Sequence, residues 1–199
     1  MNEEPLRGGT ANGVLPKIVL NVGCGPPFNQ TLPSLFAGSE WRELRLDIDA
    51  DADPDIVSSM TAMDAVESGS IDAIWSSHNL EHLHRHEVPL ALGEFIRVLK
   101  PGGLLLLTLP DLQKLAKLVA ADGLETEAYC AASGPITPLD MIFGHTTSLA
   151  QGYRYMAHKT GFTSSTLARV LFDAGFVQNR MGGCNSFDLL ASALKPAAE

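Results

Sequence analysis

Cysteine is scarce in this chain: Cys24, Cys130 and Cys184 are the only three in 199 residues, far apart and without a Cys-x-x-Cys pair. That excludes a disulfide framework and argues against a thiolate zinc site. Positive charge is also short, with 14 lysines and arginines scattered among 23 acidic residues for a formal net charge of −9. Such a chain offers no basic stripe to neutralise a phosphate backbone or to grip an anionic membrane, so nucleic acid and membrane are not expected partners. No apolar run approaches the ~20 residues of a membrane span. The N-terminal MNEEPLRGGTANG lacks the basic-then-apolar pattern of a secretion signal. A soluble protein of a reducing cytoplasm fits these absences. There is no internal repeat and no low-complexity tract, and 199 residues suit a single domain over 1–199 with a flexible leader at 1–16.

What is present is alternation. Lys17 to Val22 (KIVLNV) is a short aliphatic run that stops at glycines, as a buried strand does. Leu44 to Ile48, Asp55 to Val57 and Ile71 to Ser76 read as three more short strands. Val88, Leu92, Phe95, Ile96 and Leu99 recur at helical spacing between Arg85 and Leu99, and Lys100-Pro101-Gly102-Gly103 supplies the stop. Leu104 to Leu109 (LLLLTL) is a continuous apolar run suited to a central strand buried on both faces. Asp111 can cap a helix LQKLAKLVAAD, after which residues through Ala157 read as an irregular insertion over the sheet. Thr163 can cap a last helix that Gly175 ends, and Phe176 to Arg180 with Phe187 to Ala193 should form a closing antiparallel hairpin around MGGCNS. The order predicts an α/β fold with a doubly wound, mostly parallel sheet.

In such sheets a ligand sits beyond the carboxyl ends of the strands. After the first strand, Asn21-Val22-Gly23-Cys24-Gly25-Pro26 turns on two glycines that let main chain approach a ligand. The same letters would also serve a plain turn, and the third glycine of a dinucleotide fingerprint is replaced by Phe28. The second strand ends in Asp47-Ile48-Asp49, placing a carboxylate where it can accept hydrogen bonds from both hydroxyls of a ribose; the plain alternative is a solvated strand end.

Taken together, VLNVGCG, LRLDID, SIDAIWSSHNLEHL and EFIRVLKPGGLLLLTLP resemble the successive motifs of class I S-adenosylmethionine-dependent methyltransferases, over roughly residues 17–110. GFTSSTLARVLFDAGF and the closing hairpin resemble that family's C-terminal helix and last two strands. The resemblance implies a Rossmann-like, seven-stranded sheet with its last strand antiparallel and S-adenosylmethionine as cofactor. By position it implies that Val22, Gly23, Cys24, Gly25 and Pro26 pass under the cofactor, that Asp47 holds the ribose, and that Ile48 and Asp49 lie beside it, Ile48 against the adenine. It further implies adenine contacts from Ser59, Met60 and Thr61, with Ser59 where relatives often carry an Asp. Ser76, Ser77, His78 and His82 would lie at the methionine end.

The chain departs from the family in Pro27, which stands in place of a third glycine, and in the nearly absent N-terminal helical extension. Pro26, Pro27 and Pro33 leave room only for a short or distorted helix between residues 30 and 38. Cover for the cofactor and walls for an acceptor pocket would come from residues 111–160. Methyl transfer from a sulfonium needs alignment and exclusion of water more than a dedicated base. If a base is used, His145 and His158 are the first candidates and His78 the third, each with an ordinary structural hydrogen bond as the plain alternative. The expected acceptor is a small molecule; its identity and the oligomeric state are left open by the sequence. Two other readings compete. A chain with Gly23, Gly25 and Asp47 intact could bind S-adenosylmethionine as a non-catalytic regulatory partner. His78-Asn79-Leu80-Glu81-His82 also matches the HxxEH pattern of inverted zinc peptidases, although it sits at a strand end instead of inside a helix. No resident metal is expected; the histidines at 78, 82, 84 and 86 would at most gather an adventitious one.

Overall fold

The computed structural model describes residues 15–27, 32–131, 133–183 and 186–198. Residues 1–14 of the leader, the replaced third glycine at Phe28, Cys184 and part of the expected helix at 30–38 lie outside the described residues. Seven strands form the main sheet: β1 (Lys17–Val22), β2 (Trp41–Asp47), β3 (Ile56–Val57), β4 (Ile71–Ser77), β5 (Leu99–Pro110), β8 (Val177–Gly182) and β9 (Asp188–Leu194). They lie in the order β3-β2-β1-β4-β5-β9-β8. The first five pair in parallel, and β9 runs antiparallel to both β5 and β8. The expected sheet and its closing hairpin are thus present. β5 begins at Leu99 rather than Leu104, because Ile71 already faces Leu99 across a register shift in β4.

One face of the sheet is covered by α1 (Val88–Val98) and α5 (Ser164–Asp173). Val88, Ala91, Leu92, Phe95 and Val98 of α1 are buried, at the spacing of one helical stripe. They pack with Leu20, Val22, Ile74, Leu105 and Leu107 from the strands and with Leu167 and Leu171 of α5. Full burial of a side chain such as Phe95 contributes about 1.5–3 kcal/mol. Thr163 caps α5 through a reciprocal pair of hydrogen bonds with Thr166, and Gly175 follows at φ 95°. The opposite face carries Val19, Ala73 and Trp75, covered by Phe36 with Leu32 and Trp41. Here a single 3-10 turn, Ser34–Phe36, stands where the first crossover helix was expected.

The segment after β5 is more ordered than its sequence suggests. Asp111 caps α2 (Leu112–Ala120), accepting from the N–H groups of Gln113 and Lys114. A small hairpin follows, β6 (Tyr129–Ala131) and β7 (Gly134–Ile136). Then come α3 (Pro138–Phe143), with Thr137 and Asp140 forming a capping box, and α4 (Thr146–Ala150). Leu115, Ile136 and Met141 give this insertion its own small core, so the expected irregular stretch is corrected to a packed subdomain. No helix among the described residues is long and apolar enough to cross a membrane.

Candidate functional site

The glycine turn after β1 and the carboxylate at the end of β2 are built into one unit. Gly23 and Gly25 both have left-handed backbones, φ 68° and φ 57°, which glycine adopts without the penalty of a Cβ. Gly23 N–H and Cys24 N–H donate to the Leu46 carbonyl at 2.8 and 3.2 Å. Gly25 N–H donates to Asp47 Oδ2 at 2.8 Å, and Asp49 N–H to Asp47 Oδ1 at 2.9 Å. Arg45 clamps the back of the turn, donating to the carbonyls of Gly25 at 2.5 Å, Asp53 at 2.7 Å and Ala52 at 3.2 Å. Each oxygen of Asp47 therefore has one main-chain donor and one acceptor site left, and two remaining sites are what a pair of neighbouring hydroxyls requires. Beside it, Ile48 is exposed and Val22 wholly buried. Burial pushes the Cys24 thiol up to about 11, so it is a packing group and not a nucleophile.

The end of β4 is held by a residue that the sequence reading passed over. Asn79 is buried and donates through Nδ2 to the carbonyls of Val22 at 2.8 Å and Ser77 at 2.9 Å and to Ser76 Oγ at 3.2 Å. Its side chain lies against Gly23, where an added Cβ would fall 2.0 Å from Asn79 Oδ1. Glycine at position 23 is thus demanded twice, by φ and by space. Ser77 Oγ shares a hydrogen bond of 2.7 Å with Thr108 of β5. The only advance signal of Asn79 was its place two residues beyond a polar strand end.

His78 follows at φ 56°, with Nε2 3.3 Å from Asp188 Oδ2 and Nδ1 3.3 Å from Glu81 Oε1. Desolvation works to lower its pKa, but the two carboxylates outweigh it and raise it to about 10. At neutral pH His78 is a cation, which does not suit a general base. Glu81 sits in the 3-10 turn Leu80–His82 and is 1% exposed. Burial alone would raise its pKa, yet His78 and the neighbouring imidazoles hold it below the usual carboxylate range.

Across from this turn lies the chain returning from the insertion. Lys159 N–H and Thr160 N–H both donate to the Glu81 carbonyl, at 2.8 and 3.1 Å, which pins His158 beside Glu81 and His82. His158 Nδ1 is 2.9 Å from the Met141 carbonyl and His82 Nδ1 is 3.2 Å from the Ala157 carbonyl, while the two rings meet edge to face at 4.9 Å. Burial lowers the pKa of His158 and keeps it neutral. Glu81 and His158 line a cavity of about 210 Å³ with Leu109, Leu112, Met141 and Phe143 among its walls.

The remaining candidates lie outside that cavity. Ser59 Oγ and Thr61 Oγ1 bond each other at 2.8 Å in the loop after β3, where Met60 packs on the main core. His145 bonds Ser148 Oγ at 2.8 Å at the start of α4 and is not among the cavity walls. His84 and His86 stack on one another at 5.7 Å and, among the described residues, the potential metal-ligating group contains neither of them nor His78. HxxEH does not form the two-histidine helical face of a zinc peptidase, because it spans a strand end and a 3-10 turn and its first histidine is held between carboxylates.

Residues 20–107 match a family model described as a methyltransferase domain. A methyltransferase dependent on S-adenosylmethionine from Methanosarcina mazei shares 17% identity over 92% of this chain and 94% of its own, with a TM-score of 0.60. A second from Aquifex aeolicus shares 16% over 91% and 84%, with a TM-score of 0.59. The 1,6-didemethyltoxoflavin-N1-methyltransferase of Burkholderia thailandensis, whose structure holds its substrate and S-adenosylhomocysteine, shares 14% over 92% and 72%, with a TM-score of 0.55. At these identities the likeness is one of fold. No curated protein matches the sequence.

Proposed function

We propose that the chain, which has the class I S-adenosylmethionine-dependent methyltransferase fold and matches a methyltransferase-domain model over residues 20–107, binds S-adenosylmethionine and transfers the methyl group to a small-molecule acceptor. The observation that carries this reading is Asp47, fixed from both sides by main-chain N–H groups with two acceptor sites left over beside the left-handed glycine turn. Those residues fit a ribose and its neighbours. Asp47 would accept from both ribose hydroxyls, and Ile48 would flank the adenine, with Ser59, Met60 and Thr61 near its far edge. Val22 to Pro26 would lie under the cofactor, with Asp49 at the rim. Ser76, Ser77, His78 and His82 would surround the methionine end, where the His78 cation matches a carboxylate. When bound, the cofactor supplies a methyl carbon already activated by its sulfonium.

The chain's own contribution is then alignment and dryness. The cavity beside Glu81 and His158 is the proposed acceptor pocket, roofed by the packed subdomain over 111–160 within one domain. Of the three histidines first considered as bases, His158 alone lines that cavity. Its Nδ1 donates to a carbonyl, so its Nε2 carries the lone pair.

Calorimetric titration with S-adenosylhomocysteine of wild type and Asp47→Ala tests the reading. Micromolar binding that weakens by about 1.5–3 kcal/mol in the variant, roughly tenfold to 150-fold, supports it. Absence of binding to the wild type sinks it.

A further inference from the structure

We infer that Glu81, His82 and His158 form a site for a divalent transition metal, with zinc the best match, and that its open coordination position faces the acceptor cavity. One potential ligand atom from each of the three residues lies within 4.8 Å of the others. Two imidazoles and a carboxylate are a donor set that zinc accepts, leaving a fourth position for water or substrate.

Three observations set this group apart from a chance cluster. The first concerns the imidazoles. The groups facing the two Nδ1 atoms, Ala157 O and Met141 O, are carbonyls and can only accept, so both Nδ1 atoms carry hydrogen and Nε2 of each ring is the nitrogen left to ligate. A hydrogen bond from the far ring nitrogen to a main-chain carbonyl is how proteins orient a ligating histidine. The second concerns Glu81. It is 1% exposed, and among the described residues neither carboxylate oxygen has a hydrogen-bond donor. The His78 imidazole lies 3.3 Å from Oε1 as an ion pair, and Oε2 has no hydrogen-bond partner among the described residues. A buried carboxylate oxygen left this way costs free energy that a cation would recover. The third is rigidity. Lys159 and Thr160 bond the carbonyl of Glu81 itself, and His158 N–H donates to the Phe143 carbonyl at 3.1 Å, so residues 76 positions apart in sequence are held by main chain.

Bonds of about 2.0–2.2 Å to a tetrahedral ion would draw the three ligand atoms closer together than 4.8 Å, a movement within reach of the carboxylate. Glu81 and His158 already line the cavity, which places the fourth position where an acceptor oxygen or nitrogen would enter. Acceptor coordination there rests on the methyl-transfer reading above; the metal site does not.

The test is titration of the chelator-stripped full chain with zinc, with cobalt as a spectroscopic probe of coordination. Wild type, His158→Ala, Glu81→Gln and the double variant His84→Ala/His86→Ala are compared, and S-adenosylhomocysteine binding is measured on each. Expected is one zinc per chain, weakened at least about tenfold in His158→Ala and Glu81→Gln but not in the double variant, with intense tetrahedral cobalt bands that vanish in His158→Ala. Native circular dichroism of each variant guards against misfolding. Failure of wild type to bind zinc at about 100 μM, or binding abolished by the double variant and untouched by His158→Ala, overturns the site. Zinc binding without S-adenosylhomocysteine binding would sink the cofactor reading alone, and the reverse would sink the metal site alone.

Discussion

The two halves of the crevice at the strand ends treat their polar groups in opposite ways. On the β1–β2 side they are spent on the protein: both oxygens of Asp47 take main-chain donors, Arg45 holds three carbonyls and Asn79 bridges β1 to β4. On the side of β5 and the insertion, Glu81 is buried with only the His78 ion pair beside it, and two histidines turn Nε2 away from the carbonyls that orient them. A wall that satisfies itself presents one fixed shape. A wall that does not is held for something that arrives later, and the stability cost sits there.

The largest effect should come from the self-satisfied side. Gly23→Ala must adopt φ 68° and place a Cβ 2.0 Å from Asn79 Oδ1. Gly69→Ala meets a similar φ of 66° with nothing within 4 Å. Urea unfolding should show about 1–2 kcal/mol lost in Gly69→Ala from the backbone alone, and about 1–3 kcal/mol more in Gly23→Ala. Equal losses in the two would break the contrast. Next, Asn79→Ala should cost about 1–3 kcal/mol by leaving buried carbonyls unpaired, and Glu81→Gln in metal-free protein should destabilise as well, since it removes one partner of the His78 pair and a carboxylate that the fold keeps ionised. Unchanged stability in Glu81→Gln would mean that His78 does not hold that carboxylate.

Smaller again is the pH response of His78. Its folded pKa of about 10 stands above the unfolded 6.5, so its contribution is whole below pH 6.5 and fades as pH rises through about 10. Asp188→Asn should flatten that alkaline decline in thermal melts, and an unchanged profile would show that Asp188 does not hold the cation. The smallest effect belongs to Asp140 in the capping box of α3. Burial would raise its pKa, but donors from Thr146 and Thr137 bring it to about 2 against 3.8 unfolded. Its contribution is present above about 3.8 and is lost as pH falls through about 2; Asp140→Ala should cost about 0.5–2 kcal/mol at neutral pH and remove that acid sensitivity.

The two halves also differed in how much of them could be read in advance. The glycine turn, Asp47, α1 and the cap at Thr163 are written in short spans of chain, where φ, helical period and capping chemistry act within a few residues. The insertion was legible only at its start, through Asp111, because β6, β7, α3 and α4 are short and owe their order to a shared core of Leu115, Ile136 and Met141. Glu81 and His82 were visible as letters of the HxxEH pattern. Their meeting with His158 was not, since it depends on Lys159 and Thr160 closing onto the Glu81 carbonyl. Asn79 escaped notice because its partners, Val22 and Ser76 to Ser77, belong to two different strands.

The order β5-β9-β8 places β9, which follows the other described strands in sequence, between two of them. During synthesis Leu104 to Leu109 of β5 are made some eighty residues before their antiparallel partners Leu189 to Leu194 leave the ribosome. Until then one long apolar strand has a bare edge, open to the matching edge of another nascent chain. The nascent protein is therefore most vulnerable to aggregation in the interval between the emergence of β5 and that of its sealing strand β9.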